Sequence, residues 1–248
     1  MNNYDAAKRI IKITEDLSNL PVRVVWDDEL QVGAIVHLSE IELSQQIRIS
    51  VKPGRKDTAY LVALQCAMAK NFIQSKSADH KHLVSASESI NKAIAEFIQL
   101  GYPENVAQQI ANQTIPSLGQ QLRGMPPQLV LSSWIYREFP ELRESQLIHH
   151  IEEVNVSYAS LDIDPQQYPS WILKNHQAMN GAFALASEYL FDRSDLFLPF
   201  KKSGLETICT NLLKPIISNQ EKNNDVILVS EWIEILDLGS EFCWSSYE

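Results

Sequence analysis

Cysteine is scarce in this sequence. Cys66, Cys209 and Cys243 are the only thiols in 248 residues, and no two stand in a CxxC pair. That excludes a disulfide-stapled fold and leaves no cysteine pair for a structural zinc or a redox couple. Glycine is sparse too, at eight residues. None falls in a GxGxxG, a GxSxG or a GxxxxGK pattern, so the usual phosphate cradles and nucleophile elbows are missing. No apolar run approaches the roughly 18 residues of a membrane helix. The opening stretch, MNNYDAAKRIIKITEDL, lacks the unbroken apolar core and small-residue cleavage site of a secretory signal. A cytoplasmic, reducing setting is the expectation.

Basic residues are in deficit. Lys and Arg number 21 against 31 Asp and Glu, for a net charge of -10. Gripping nucleic acid takes clustered cations that release counterions from phosphates, so direct nucleic-acid binding is not expected. Lys52-Pro53-Gly54-Arg55-Lys56 is the one compact basic run, and it reads as a charged turn before a helix. The acids are uneven. Residues 221–248 hold Glu221, Asp225, Glu231, Glu234, Asp237, Glu241 and Glu248 against Lys222 alone.

Apolar spacing predicts the elements. Ala7, Ile10, Ile11, Ile13 and Leu17 mark an amphipathic helix over 4–18, ended by Pro21. Residues 22–26, 31–38 and 45–51 are β-branched and read as three strands of an antiparallel meander. From Asp57 the chain reads helical almost throughout: 58–74, 85–100 behind a Ser85-Ala-Ser-Glu88 capping box, 127–138, 141–158, 170–191 and 204–219. The tail from Asp225 reads as one helix or as a strand then a helix. Gly119, Gly124 and Pro126-Pro127 punctuate a boundary. The fold class is therefore α+β: a small antiparallel sheet near the N-terminus packed on helices, then a mostly α-helical remainder. Domains are expected at 1–122 and 127–248, the second carrying the acidic segment.

The helix over 58–74 contains Leu64-Gln65-Cys66-Ala67-Met68. Together with the preceding helix and three strands, this stretch resembles the zincin-fold metallopeptidases of the ImmA/IrrE type over about residues 1–75. In that family the corresponding helix carries His-Glu-x-x-His, often spelled His-Glu-Cys-Ala-His. Its histidines bind zinc and its glutamate polarises the attacking water. The resemblance puts the histidines at Leu64 and Met68 and the glutamate at Gln65, with Cys66 and Ala67 matching the spacers. Leucine cannot ligate zinc, a thioether is a poor zinc ligand, and an amide takes no proton from water. The resemblance thus implies a vestigial motif with no metal, no cofactor and no catalytic residue. It also implies a bacterial setting linked to mobile elements or phage response.

Other chemistry is weaker. Ser89-Ile-Asn-Lys92 and Lys202-Ser203-Gly204 have the outline of a penicillin-recognising serine enzyme, without the middle motif. His149-His150 point about 100° apart on a helix and read as surface residues. Asp79, His80 and His82 read as a solvated loop. Cys66, inside an apolar helix, has no neighbouring cation to activate it. Asp162 and Asp164 lack the spacing of a calcium loop. Trp232, Glu234 and Trp244 are the candidate partner-binding residues, as aromatic anchors ringed by charge; the plainer reading has their segment complete the core. The expected function is non-catalytic: a regulatory or structural subunit that binds another protein. Two alternatives stand beside it. One is a hydrolase with a scattered site, such as Glu88 or Glu96 with His80, or Ser89 with Lys92. The other is an acidic mimic of nucleic acid.

Overall fold

The computed structural model describes residues 4–38, 41, 45–75, 81–218 and 224–246. The chain divides into two compact units. One comprises residues up to Ser77 together with Leu131–Glu152; the other comprises Ala78–Val130 and Glu153–Glu248.

In the first unit, α1 spans Lys8–Ser18 and ends at Asn19 in the left-handed conformation. Strands β1 (Val22–Trp26), β2 (Ala34–Val36) and β3 (Ile47–Val51) follow, then helix α2 (Thr58–Gln74). The strand order is β1-β3-β2. β1 runs parallel to β3 and β2 antiparallel to it, so the sheet is mixed and the expected antiparallel meander is corrected. The cause lies in the side chains. Ile47, Ile49 and Val51 of β3 are fully buried, and a strand so apolar gains most from the central place. The three-residue β2 takes an edge, where short strands are tolerated. The apolar row of β3, with Val22, Val24, Ala34 and Val36, packs in one core with α1 and α2.

Helix α2 is apolar nearly all round, and 11 of its 17 residues are buried. Such a helix belongs inside a core rather than on its surface. Residues 131–152 complete this unit. Leu131, Ile135, Phe139 and Leu142 join the same core, and Lys70 lies 4.3 Å over the Trp134 ring.

In the second unit, β4 (Lys81–Ser85) leads into α3 (Ser87–Gln99). The predicted capping box does not form. Ala86 is the N-cap, and Ser89 turns its hydroxyl to the Glu241 carbonyl at 3.1 Å. Helix α4 runs unbroken from Glu104 to Glu138 with Pro116, Pro126 and Pro127 inside it. The expected break near residue 120 is absent. Each internal proline costs a helix about 3 kcal/mol, and burial of Ile115, Leu118, Leu122, Leu129, Leu131 and Ile135 along its length offsets that, at ~2 kcal/mol per large apolar side chain.

Helices α5 (Arg143–Ser157), α6 (Ser170–Phe191), α7 (Leu198–Lys202), α8 (Glu206–Ser218) and α9 (Asp225–Ile235) follow, residues 131–152 of α4 and α5 belonging to the first unit. Strand β5 (Phe242–Ser246) ends the described chain, antiparallel to β4. The acidic tail is thus a helix then a strand, which corrects both expected readings, a single helix and a strand followed by a helix. Asn224 caps α9, its side chain accepting from the Ile227 amide at 3.1 Å. Among the described residues no helix is long and apolar enough to cross a membrane.

Close packing of α6 and α8 rests on Gly181. A Cβ there would lie 2.6 Å from Cys209 Sγ and 3.3 Å from the Phe200 ring. Gly181→Ala is expected to lower stability by about 1–3 kcal/mol through overpacking, read as a lower urea midpoint at unchanged slope. An unchanged midpoint would contradict this packing.

Candidate functional site

The resembled motif lies on α2, and the structure gives each of its positions a packing role. Leu64 is in the core at 4% exposure. Gln65 is also buried, and its Oε1 accepts the Val36 amide of edge strand β2 at 2.9 Å. Met68 is half-buried against the same core. This donor set does not fit zinc: Leu64 offers no lone pair, Gln65 Oε1 is engaged by the backbone, and only a thioether remains. Among the described residues no three or more His, Cys, Asp or Glu converge to hold a metal. Burial pushes the Cys66 thiol up to about 12, which keeps it protonated and unreactive.

A polar cluster unforeseen in the sequence sits at the N-terminal end of α2. Asp57 is fully buried. Arg55 grips its carboxylate in a fork, Nε to Oδ1 at 2.8 Å and Nη2 to Oδ2 at 2.7 Å. His149 Nδ1 lies 2.9 Å from Oδ2. Arg55 also reaches Glu152 at 3.0 Å. Burial alone would push the Asp57 carboxyl up; hydrogen bonds from His149 and Arg55 outweigh it and hold the group down at about 2. A carboxylate only accepts, so His149 Nδ1 carries the proton of this bond.

Tyr60 extends the cluster. Its amide donates to Ser145 Oγ at 3.0 Å, its hydroxyl shares a hydrogen bond with Ser132 Oγ, and its ring lies 5.0 Å from that of His149. Ser145 thereby satisfies one of the open amides at the start of α2. Gln146 Nε2 donates to the Ser132 carbonyl at 2.8 Å. The expectation of surface histidines is corrected: His149 is 5% exposed and His150 fully buried. Apolar Leu147, Ile148 and Ile151 around them were the available signal.

This cluster contains the carboxylate and imidazole of a general-base pair but does not present them for catalysis. His149 is sealed from solvent, and the hydroxyls of Ser132 and Ser145 are engaged by Tyr60. What the arrangement does is clamp residues 131–152 onto the start of α2.

In the second unit, Ser89 and Lys92 share a face of α3 without meeting. Ser89 bonds the Glu241 carbonyl, and Lys92 Nζ pairs with Glu241 Oε1 at 2.8 Å while lying 4.7 Å over the Trp171 ring. Glu96 accepts from Trp171 Nε1 at 3.1 Å. Lys92, Trp171 and Glu241 border a cleft of about 330 Å³ with Lys174, Asn175, Asp237 and Ser240. Ser240 Oγ donates to Glu241 Oε2 at 2.8 Å, and Lys92 engages the other oxygen of that carboxylate. Lys202-Ser203-Gly204 is the turn after α7, with Gly204 at φ 78°, not a strand bordering a site. Asp164 caps a turn through the Gln166 amide. His82 lies on β4, whereas Asp79 and His80 fall outside the described residues.

The partner-binding candidates separate. Trp232 is fully buried and donates to the Leu212 carbonyl at 2.8 Å, so as a surface anchor it is corrected: its ring fills the core between α8 and α9. Trp244 is half-buried, donates to Ser230 Oγ at 3.0 Å and lies under Arg123 at 5.7 Å. Glu234 is exposed.

No protein-family profile matches the chain, and neither curated proteins nor solved structures contain a significant match to it.

Buried His150 makes stability depend on pH. Burial first, and the neighbouring His149 second, push His150 well below its ordinary range. A histidine neutral in the fold but protonatable when unfolded favours unfolding as pH falls below about 6.5. Full stability is expected above that pH, with a loss of up to about 1.4 kcal/mol per pH unit below it. Asp57 adds a second loss as pH falls from the ordinary carboxyl range toward about 2. Urea titrations at a series of pH values check this, with His150→Leu expected to flatten the first limb. An equal slope in both proteins would contradict it.

Proposed function

We propose that the protein is non-catalytic, a pseudo-metallopeptidase-like chain that serves as a regulatory or structural subunit by binding another protein. The observation that carries this reading is the Gln65 side chain. At the position where the resembled motif holds its water-polarising glutamate, a neutral amide accepts the Val36 amide at 2.9 Å. A residue of catalysis has become one of architecture, and Leu64 beside it is core. The same helix that would build a hydrolytic centre now braces the edge of a sheet.

The remaining chemistry supports the same direction. Ser89 and Lys92 are each engaged by Glu241. Asp57 and His149 join two segments of one unit. The three cysteines are free thiols, which suits a reducing cytoplasmic setting. The net charge of -10 disfavours direct contact with nucleic acid. A bacterial mobile-element or phage-response context is part of the proposal and follows from the resemblance alone.

Metal analysis tests it. Protein purified without chelator and equilibrated with zinc is expected to retain well below one equivalent after gel filtration, and to cleave no peptide or protein in a general hydrolase screen. One equivalent of zinc per chain, or metal-dependent hydrolysis, would overturn the reading.

A further inference from the structure

The outer face of the three-stranded sheet carries charge that the fold does not use. β1 and β3 are parallel and in register, with Arg23 opposite Arg48. Their rows alternate with the half-buried Val22 and Val24 and the buried Ile47 and Ile49, which pack into the core, so both arginines stand on the face turned away from it. Adjacent strands are about 4.8 Å apart, and like charges directly opposite each other destabilise a sheet. Neither arginine has an ion-pair, hydrogen-bond or ring partner among the described residues, whereas Arg9, Arg55, Arg123 and Arg193 all do. Arg48 goes further: its Nε is buried with no acceptor. A desolvated guanidinium donor without an acceptor is costly. None of the three strands contributes an acid. Beside the arginines the same face presents half-buried Val25 and, 41% exposed, Ile35, while Ser50 between them is buried and bonded to His37 Nε2 at 3.0 Å.

We propose that this face docks an acidic segment of a partner protein, with Arg23 and Arg48 receiving its carboxylates and Ile35 and Val25 its apolar side chains. The proposal rests on the protein-binding reading above and gives the partner's chemistry. Guanidinium forks match carboxylates bidentately, and arginine beside aliphatic surface is a common interface composition. A nucleic acid is the poorer occupant. Its affinity comes from many phosphate contacts, and two arginines on a chain of net charge -10 supply few. A short acidic segment needs only those two, and it finds apolar contacts that a phosphate backbone cannot use.

Fluorescence anisotropy on the full chain tests this with three labelled probes: a decapeptide alternating Glu and Val, one alternating Gln and Val, and single-stranded deca-thymidylate. The Glu–Val peptide is expected to bind, more weakly as salt rises, and the other two to bind at least about tenfold less. Arg23→Ala with Arg48→Ala is expected to weaken Glu–Val binding by about tenfold or more. The same double variant should keep the far-UV spectrum and melt no lower than wild type, because a like-charge pair has been removed. Binding unchanged by the substitutions, no Glu–Val binding, or preference for deca-thymidylate would overturn the proposal. So would a lower melting temperature with intact binding, which would make the arginines structural. Zinc content measured on the same preparation separates the two readings. A metal-free chain that ignores the peptide sinks only this surface, whereas a zinc-loaded chain sinks the non-catalytic reading and leaves the surface to stand on its own binding data.

Discussion

Helix α2 is enclosed on every side from Thr58 to Ala67. The sheet covers one flank and α1 another, and residues 131–152 close over its first turns. An apolar helix held this way removes its backbone and most of its side chains from water, and any polar group carried inside must find a partner. Two do so in ways that shape the whole unit. Gln65 takes the free amide of Val36 and so fastens the short edge strand. Asp57, just before the helix, takes a guanidinium fork and an imidazole. The first bond fixes the sheet to the helix. The second fixes a segment that the chain supplies some seventy residues later.

That enclosure also closes Leu64 and Gln65 off from water. A hydrolytic centre needs ligands with free lone pairs and a path for water to a polarising carboxylate. Here the matching positions are a core leucine, an occupied amide and a half-buried thioether. Polar groups elsewhere follow the same rule of mutual satisfaction. Lys92 and Glu241 pair across the ends of α3 and β5, with Trp171 beneath the lysine. Exceptions remain: Gln146 Oε1 and His149 Nε2 are buried without a hydrogen-bond partner, as is Arg48 Nε on the outer sheet face, where the two arginines meet no acid among the described residues.

Periodicity and punctuation made the separate elements legible. The helices over 8–18, 58–74 and 170–191 follow directly from apolar spacing and their flanking prolines, and the α+β class follows from element order. Pairing between elements was less legible. Strand order depends on which strand is most apolar on its inward face, and a local reading defaults to a meander. Pro126 and Pro127 misled because local helix cost was weighed without the burial gained along α4. Strands β4 and β5 escaped because five residues at the end of the chain pair with five that lie about 160 positions earlier.

The polar cluster escaped for a related reason. Asp57 and His149 are separated by 92 positions, and each taken alone has a plain reading: a helix-flanking acid and a surface imidazole. Only the apolar neighbours of His149 hinted at burial. At Leu64, Gln65 and Met68 the residue types were legible as unable to bind zinc, but the packing role of Gln65 was not, because its partner is a backbone amide that any sequence would carry.

The central claim is that the Gln65 side chain holds the edge of the sheet. Amide hydrogen exchange at Val36, followed by NMR in wild type and Gln65→Ala, tests it most directly. The account predicts strong protection in wild type, lost selectively in the variant while the amides of β3 stay protected. Free exchange of the Val36 amide in wild type, or equal protection in both proteins, would contradict it.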